Sequence, residues 1–267
     1  MSLPIREIIE WLEELAPPSL ALHGDKIGLQ VGSRAAAVSR VLTSLDVTEE
    51  VVEEAVRLDA QLIVAHHAVL FHPLHVLIDD DHHSALAMKL VRAGVNVYIA
   101  HTNLDAAVGG INDQLASRLG LINVRALTQP VSGNSDGIGR IGCLATVMPL
   151  AQFAIEVRDR LGVERVRYVG RPEQQVGTVA VVGGAGASYM DQTLESGADC
   201  LVTGDLKYHD ALEAYARGFA LVDPGHNGSE RFIANTMRDF LTRKAVDCGR
   251  ALHVLASKVS TEPFRFA

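Results

Sequence analysis

Gln61-Leu62-Ile63-Val64-Ala65-His66-His67 is a short apolar run that stops on two histidines. A run of this length without polar alternation suits a strand buried on both faces, as in a parallel sheet. Upstream, Thr48–Leu58 reads as a helix and follows a second apolar run, Val41–Leu45; downstream, the helix His83–Ala93 leads to a third, Asn96–Ala100. Strand, helix and strand in succession predict an α/β architecture with a parallel sheet.

The pattern continues along the chain. Arg165–Val169, Thr178–Val182, Cys200–Thr203 and Ala220–Val222 read as strands, and Ile111–Leu119, Leu150–Leu161, Met190–Ser196, His209–Arg217 and Glu230–Arg243 as helices. At the N-terminus Ile5, Ile8, Ile9, Leu12 and Leu15 share a helix face, with Pro4 suited to a first helical position and Pro17-Pro18 ending the run. Leu127–Gly142, with Pro130, Gly133, Asn134, Ser135, Gly137 and Gly139, reads as an exposed loop or linker. It divides the chain into two α/β lobes, residues 1–126 and 127–267, each a layered sheet with flanking helices, and the C-terminal segment could pack on the first lobe.

With 267 residues, 48% hydrophobic and 21% charged, the chain can bury a sizeable core, which excludes intrinsic disorder. The formal net charge of -8 opposes wrapping a phosphate backbone, so nucleic acid is a poor partner. Cys143, Cys200 and Cys248 include no CxxC pair, which argues against a disulfide framework or a thiolate zinc site. No apolar run is long enough to span a membrane and MSLPIREIIEWLEEL lacks a signal-peptide core, so a cytoplasmic location is expected. Histidine is the unusual component: seven of the 11 fall between His66 and His101.

In an open parallel sheet, ligands gather beyond the carboxyl ends of the strands. Three ends here carry nitrogen and oxygen donors: His66-His67, then His101-Thr102-Asn103-Leu104-Asp105, then Gly225-His226-Asn227-Gly228-Ser229-Glu230. Consecutive residues of an extended strand point to opposite sides, so His66 and His67 are expected to serve different ions. Two cations a few ångströms apart need anionic ligands, which Asp105 and Glu230 supply. An economical assignment gives one ion His67, Asp105 and Glu230 and the other His66, His226 and Glu230, with Glu230 bridging; which histidine serves which ion stays open. Imidazole and carboxylate without thiolate suit zinc, iron, manganese, cobalt or nickel. His101 is left as an acid/base group or a partner beside the site, and Ser229 as a helix N-cap.

Other clusters carry two readings each. Asp79-Asp80-Asp81-His82-His83 fits a solvated loop and helix start better than a metal site. Gly183-Gly184-Ala185-Gly186-Ala187-Ser188 is either a tight strand-to-helix turn or a phosphate cradle, and Thr203-Gly204-Asp205-Leu206-Lys207-Tyr208-His209 either a cleft wall or a helix start. There is no GxSxG elbow to support a Ser-His-Asp triad.

Taken in order, Gly28-Leu29-Gln30-Val31-Gly32, His66-His67 with Phe71 and Pro73-Leu74, His101–Asp105 with Gly109-Gly110-Ile111-Asn112, Thr203–His209, and Asp223-Pro224-Gly225-His226 with Ser229-Glu230 resemble the successive motifs of the Nif-three-like family. Its members are often labelled GTP cyclohydrolase I type 2 or its homologues. The resemblance runs from about residue 5 to residue 260. It implies metal ligands at His66, His67, Asp105, His226 and Glu230, with His101 beside them, a dinuclear site in the cleft between two lobes, and a ring-shaped homohexamer. Two departures stand out: Gly24-Asp25-Lys26 replaces the usual Trp-Asp-Asn run, and Ala68 replaces a proline after the histidine pair.

The expected activity is that of a hydrolase using two divalent transition-metal ions per chain on a nucleotide or similar small molecule, with His101 moving protons. The family label implies GTP and hydrolytic opening of the guanine imidazole ring. A metal-binding or metal-delivery protein without turnover is the competing reading.

Overall fold

A computed structural model describes residues 2–129 and 136–267. Its contacts divide the chain into two compact units, one made of residues up to Leu104 together with Arg231–Ala267, the other of Asp105–Glu230. This differs from a division at residue 126. The chain changes unit at Leu104–Asp105, four residues after the third apolar run, and the helix near the C-terminus returns to the first unit, so the second unit is an insertion within the first. Of the expected loop Leu127–Gly142, residues 130–135 lie outside the described residues, and Arg140 already begins a ten-residue strand, Arg140–Pro149.

The first unit is built on a five-stranded sheet in the order His253–Ala256, Arg40–Ser44, Leu62–Ala65, Asn96–Ile99 and Gly28–Val31. The first four strands are parallel neighbours and the last is antiparallel. Leu62–Ala65 and Asn96–Ile99 are buried at every position, which explains their unalternating composition. Val51, Val52 and Ala55 of the helix Glu49–Arg57, with Leu86 and Leu90 of His82–Ala93, pack with Leu42, Ile63, Val97 and Ile99 of the sheet. Each large apolar side chain among them contributes about 1.5–3 kcal/mol on full burial. The helix Ile233–Asp247 packs on the strands Arg40–Ser44 and His253–Ala256. Ile5–Leu15 buries Ile5, Ile8, Ile9, Trp11 and Leu12, with Pro4 one position outside it and paired to Ala37.

The second unit holds a six-stranded sheet in the order Ile122–Ala126, Arg140–Pro149, Gln175–Val181, Cys200–Val202, Ala220–Asp223 and Arg167–Val169. Only Gln175–Val181, Cys200–Val202 and Ala220–Asp223 run parallel to one another; the other pairings are antiparallel. Both sheets are therefore mixed, not purely parallel. The unexpected strands lie mostly on edges or in antiparallel pairs, where one-sided burial leaves no continuous apolar run; Ile122–Ala126 is mostly exposed and includes Asn123 at φ 54°. No helix among the described residues is long and apolar enough to cross a membrane.

Candidate metal centre

In the first unit, three parallel strands end side by side and hand over to functional residues at the same sheet edge: Arg40–Ser44 precedes Asp46, Leu62–Ala65 precedes His66 and His67, and Asn96–Ile99 precedes His101. The side-chain alternation expected for His66 and His67 ends with the strand at Ala65. Both their amides donate to the carbonyl of Leu45, at 3.1 and 2.9 Å, which bends the backbone and turns successive side chains toward each other. Their ring centroids are 4.9 Å apart, and His101 lies 5.0 and 5.8 Å from the two. One nitrogen from each of the three rings falls within 4.8 Å of the others, a group that could hold one metal ion.

Each of these rings is held through Nδ1. His66 Nδ1 donates to the carbonyl of Ala100 at 2.8 Å, His67 Nδ1 to Asp46 Oδ1 at 2.6 Å, and His101 Nδ1 to Asp25 Oδ1 at 2.8 Å. An oxygen acceptor at Nδ1 places the proton there and the lone pair on Nε2, the tautomer a metal requires, and carboxylates behind a ligating imidazole raise its basicity. Asp25 is itself fixed by the amide and hydroxyl of Thr102. Burial raises the Asp25 carboxyl pKa, but the hydrogen bonds from Thr102 and His101 and the imidazole charge outweigh it and hold the carboxyl below its usual range. The turn at His101 is locked by Asn103, whose Oδ1 accepts from the His101 amide at 2.9 Å while its Nδ2 donates to the carbonyl of Ala16 at 2.7 Å.

In the second unit the parallel strands again deliver the polar groups. Gln175–Val181 leads to Gly183 and Gly184, Cys200–Val202 to Asp205, and Ala220–Asp223 to His226 and Glu230. Ser229 does not cap a later helix. His226–Glu230 is itself one helical turn, separate from Ile233–Asp247, and the Ser229 hydroxyl donates inside it to the His226 carbonyl at 2.8 Å. That turn aligns positions i and i+4, bringing His226 Nε2 to 3.1 Å from Glu230 Oε2, while His226 Nδ1 meets Asp205 Oδ2 at 2.7 Å. Two ligands about 2.0–2.1 Å from one tetrahedral ion stand about 3.3 Å apart, so this spacing fits a shared metal. Glu230 is 2% exposed, and a carboxylate buried so deeply calls for a cation nearby.

The glycine-rich turn resolves to the tight-turn reading. Gly183, Gly184 and Gly186 direct their amides to Asn112 Oδ1, Ser229 Oγ and Thr203 Oγ1 at 2.9, 3.0 and 2.8 Å, so these N–H groups satisfy the protein itself. The lack of side chains makes room for Glu230: a Cβ on Gly184, which has φ +63°, would stand 2.5 Å from Glu230 Oε1 and 3.2 Å from His226 Nε2. Asn112 also donates to the carbonyl of Asp105 at 3.0 Å, tying that residue to the turn. Burial raises the nearby Tyr189 hydroxyl pKa, and the Asp105 carboxylate adds to the rise.

The remaining histidines do not join these groups. His72, His75, His82 and His83 are exposed, and Asp81 caps the helix His82–Ala93 by accepting from the Ser84 amide at 2.9 Å. Thr203–His209 serves both readings: Asp205 orients His226, while Asp210 accepts from the Lys207 amide at 3.1 Å as the helix Tyr208–Ala216 begins. Asp25, Asp46 and Asn112 are supporting residues to which the sequence pattern assigns no role, although Asp25 and Asn112 fall within quoted motifs. Asp46 stands one residue past a predicted strand, which is the signal that could have found it.

A family model described as Duf34/NIF3 (NGG1p interacting factor 3) matches residues 3–263. The chain belongs to the Duf34/NIF3 family. A "GTP cyclohydrolase 1 type 2 homolog" of Clostridium acetobutylicum is 31% identical over 267 residues, covering 100% of both chains. One of Lactococcus lactis with the same name is 33% identical, covering 94% of this chain and 95% of the relative. Among solved structures of Duf34/NIF3 type, a Bacillus cereus protein related to NIF3 superposes with a TM-score of 0.95 at 31% identity, covering 100% of this chain and 99% of that one. The mixed α/β fold with layered sheets and flanking helices is thus that of the NIF3 structures.

Proposed function

We propose that the protein is a hydrolase of a nucleotide or similar small molecule that uses two divalent transition-metal ions, held by His66, His67, Asp105, His226 and Glu230. The observation that carries this reading is the common treatment of four strand-end histidines: each has Nδ1 on an oxygen, three of them on Asp46, Asp25 and Asp205. Surface or core histidines have no need of such a set, whereas metal ligands do. Asp105 and Glu230 are the first and last residues of the second unit, next in sequence to Leu104 and Arg231 of the first.

Bound divalent ions would supply a water of lowered pKa and polarise the attacked centre. The protein's own acid/base group is His101: with its Nδ1–H held by Asp25, its Nε2 accepts a proton and returns it to the leaving group. The relatives' names make GTP the first substrate to test, with ring opening of guanine as the reaction. A homohexamer and a cytoplasmic location belong to the same proposal. The three-imidazole group His66, His67 and His101 also favours a second reading, a metal-binding or delivery protein in which His101 is a ligand.

Metal analysis of the purified protein should return close to two ions per chain, and Glu230→Ala should lose both; loss of one alone removes its bridging role. His101→Ala should keep the metals and abolish turnover of GTP or another nucleotide. Loss of metal in that variant, with transfer of metal from the wild type to an apo-protein and no turnover, would establish the carrier reading instead.

A further inference from the structure

Four neighbouring parallel strands of the first unit end at one sheet edge, and three of them lead to Asp46, His66 and His67, and His101. The fourth, His253–Ala256, leads to a segment that the proposed function has not used. Ser257 continues the pairing, its amide donating to the carbonyl of Thr43 at 2.8 Å. Its hydroxyl donates to Glu54 Oε2 at 2.5 Å, and the Lys258 amide reaches both Glu54 oxygens at 3.2 Å. Glu54 is buried on the helix Glu49–Arg57, and Val259 packs on the core beside it. Anchored this way, the segment brings the Thr261 hydroxyl to Asp46, where it donates to Oδ2. The other carboxylate oxygen, Oδ1, accepts from His67 Nδ1.

We propose that Thr261 is a positioning residue for His67, acting through Asp46, and that the C-terminal strap Ser257–Thr261 is a working part of the candidate metal centre. The physical reason lies in the carboxylate. Rotation about its terminal sp³–sp² bond is broad, so one hydrogen bond does not fix the plane of the group. A second bond on the other oxygen does, and the plane of Asp46 then sets the direction from which Oδ1 meets the His67 ring. The ring's Nε2 is aimed accordingly. A ligand held by an oriented partner binds metal about 10–100-fold more tightly than one whose partner is lost.

The inference rests on the proposed metal site for its functional meaning, while the ring orientation can be read without metal. The test uses the full chain with Thr261→Val, which removes the hydroxyl at nearly constant shape, and Thr261→Ser, which keeps it. Zinc affinity is measured by competition with a chromogenic chelator, and the His67 ring nitrogens are followed by NMR in the metal-free protein. Thr261→Val should weaken zinc binding about 10-fold and mix the His67 tautomers, and Thr261→Ser should restore both. A valine variant with wild-type affinity and an unchanged His67 spectrum overturns the inference and leaves the metal reading standing. Failure of the wild type to bind zinc and, in the same assay, iron, manganese, cobalt and nickel overturns the metal reading, and the ring spectrum still decides the positioning role. Should Thr261→Val not fold, Asp46→Asn tests the same relay from its middle, and an unchanged His67 spectrum there overturns it.

Discussion

In the first unit the candidate ligands His66 and His67, with His101 beside them, are imidazoles that follow strands directly and are held from behind by a backbone carbonyl, Asp46 and Asp25; in the second, an imidazole and a buried carboxylate share one helical turn and lie against glycines. The support differs in burial as well. The Asp25 side chain is 5% exposed and that of Asp205 is 48%. Two sheets with different strand orders thus place donors at the same kind of position, the carboxyl end of parallel strands. The histidines of both sets are aimed alike, through Nδ1 on an oxygen; what differs is Glu230, whose place against Gly183 and Gly184 depends on steric room.

Glycine substitutions test that distinction most severely. Gly24, next to Asp25 in the first unit, has φ +83° and open space within 4 Å of where a Cβ would stand, whereas Gly184 has φ +63° and its Cβ would meet Glu230 at 2.5 Å. Gly24→Ala is expected to cost only the left-handed backbone strain, about 1–2 kcal/mol in denaturant unfolding, with metal affinity retained. Gly184→Ala adds a clash with the buried Glu230 carboxylate, which must shift for the Cβ to fit, so it should cost more and weaken metal binding at Glu230. Equal metal affinity in the two variants would show that steric room is not what places Glu230.

The ligands are easier to find in the sequence than the residues that support them. His66, His101 and Glu230 stand out because they directly follow apolar runs or lie a helical turn beyond one, a pattern visible in one dimension. Asp25 is 76 residues from His101 and Asp205 is 21 from His226, and such pairings arise only when non-adjacent loops meet. The antiparallel strands are also hidden: Gly28–Val31 is short and pairs through a register shift, and Arg140–Pro149 emerges from a glycine-rich stretch that resembles a loop. The bend at His66 and His67 cannot be read from alternation, because two amides sharing the Leu45 carbonyl is a tertiary event.

Substituting Asp46 and Asp205, whose side chains are 31% and 48% exposed, sharpens the comparison at a smaller scale. Asp46→Asn and Asp205→Asn each keep side-chain shape, and asparagine tolerates the left-handed φ of 54° at Asp205, so neither should disturb the backbone. Removing the charge behind a ligating imidazole is expected to weaken metal binding by about 10–100-fold in each case, read by chelator competition. The half-exposed Asp205 can exchange its role with solvent more readily than Asp46, so Asp205→Asn should fall at the lower end of that range and Asp46→Asn at the upper. The reverse order would mean that burial of the supporting carboxylate does not govern its contribution.

The smallest effect is in the pH dependence of stability, and it belongs to the more buried of the first unit's two carboxylate clamps. Asp25 has a carboxyl held below its usual pKa of 3.8, because the hydrogen bonds from Thr102 and His101 and the imidazole charge overcome the cost of burial. A group whose folded pKa is depressed stabilises the fold above its unfolded pKa and loses that contribution as pH falls through the folded value. Wild type should therefore exceed Asp25→Asn in stability at pH 5 to about the same extent as at pH 7, and the gap should close progressively below about pH 4. Thermal unfolding of the metal-free protein across that range measures it. A gap that stays constant down to about pH 2 would show that the Asp25 contacts act through shape and hydrogen bonding alone, with no contribution from the charge.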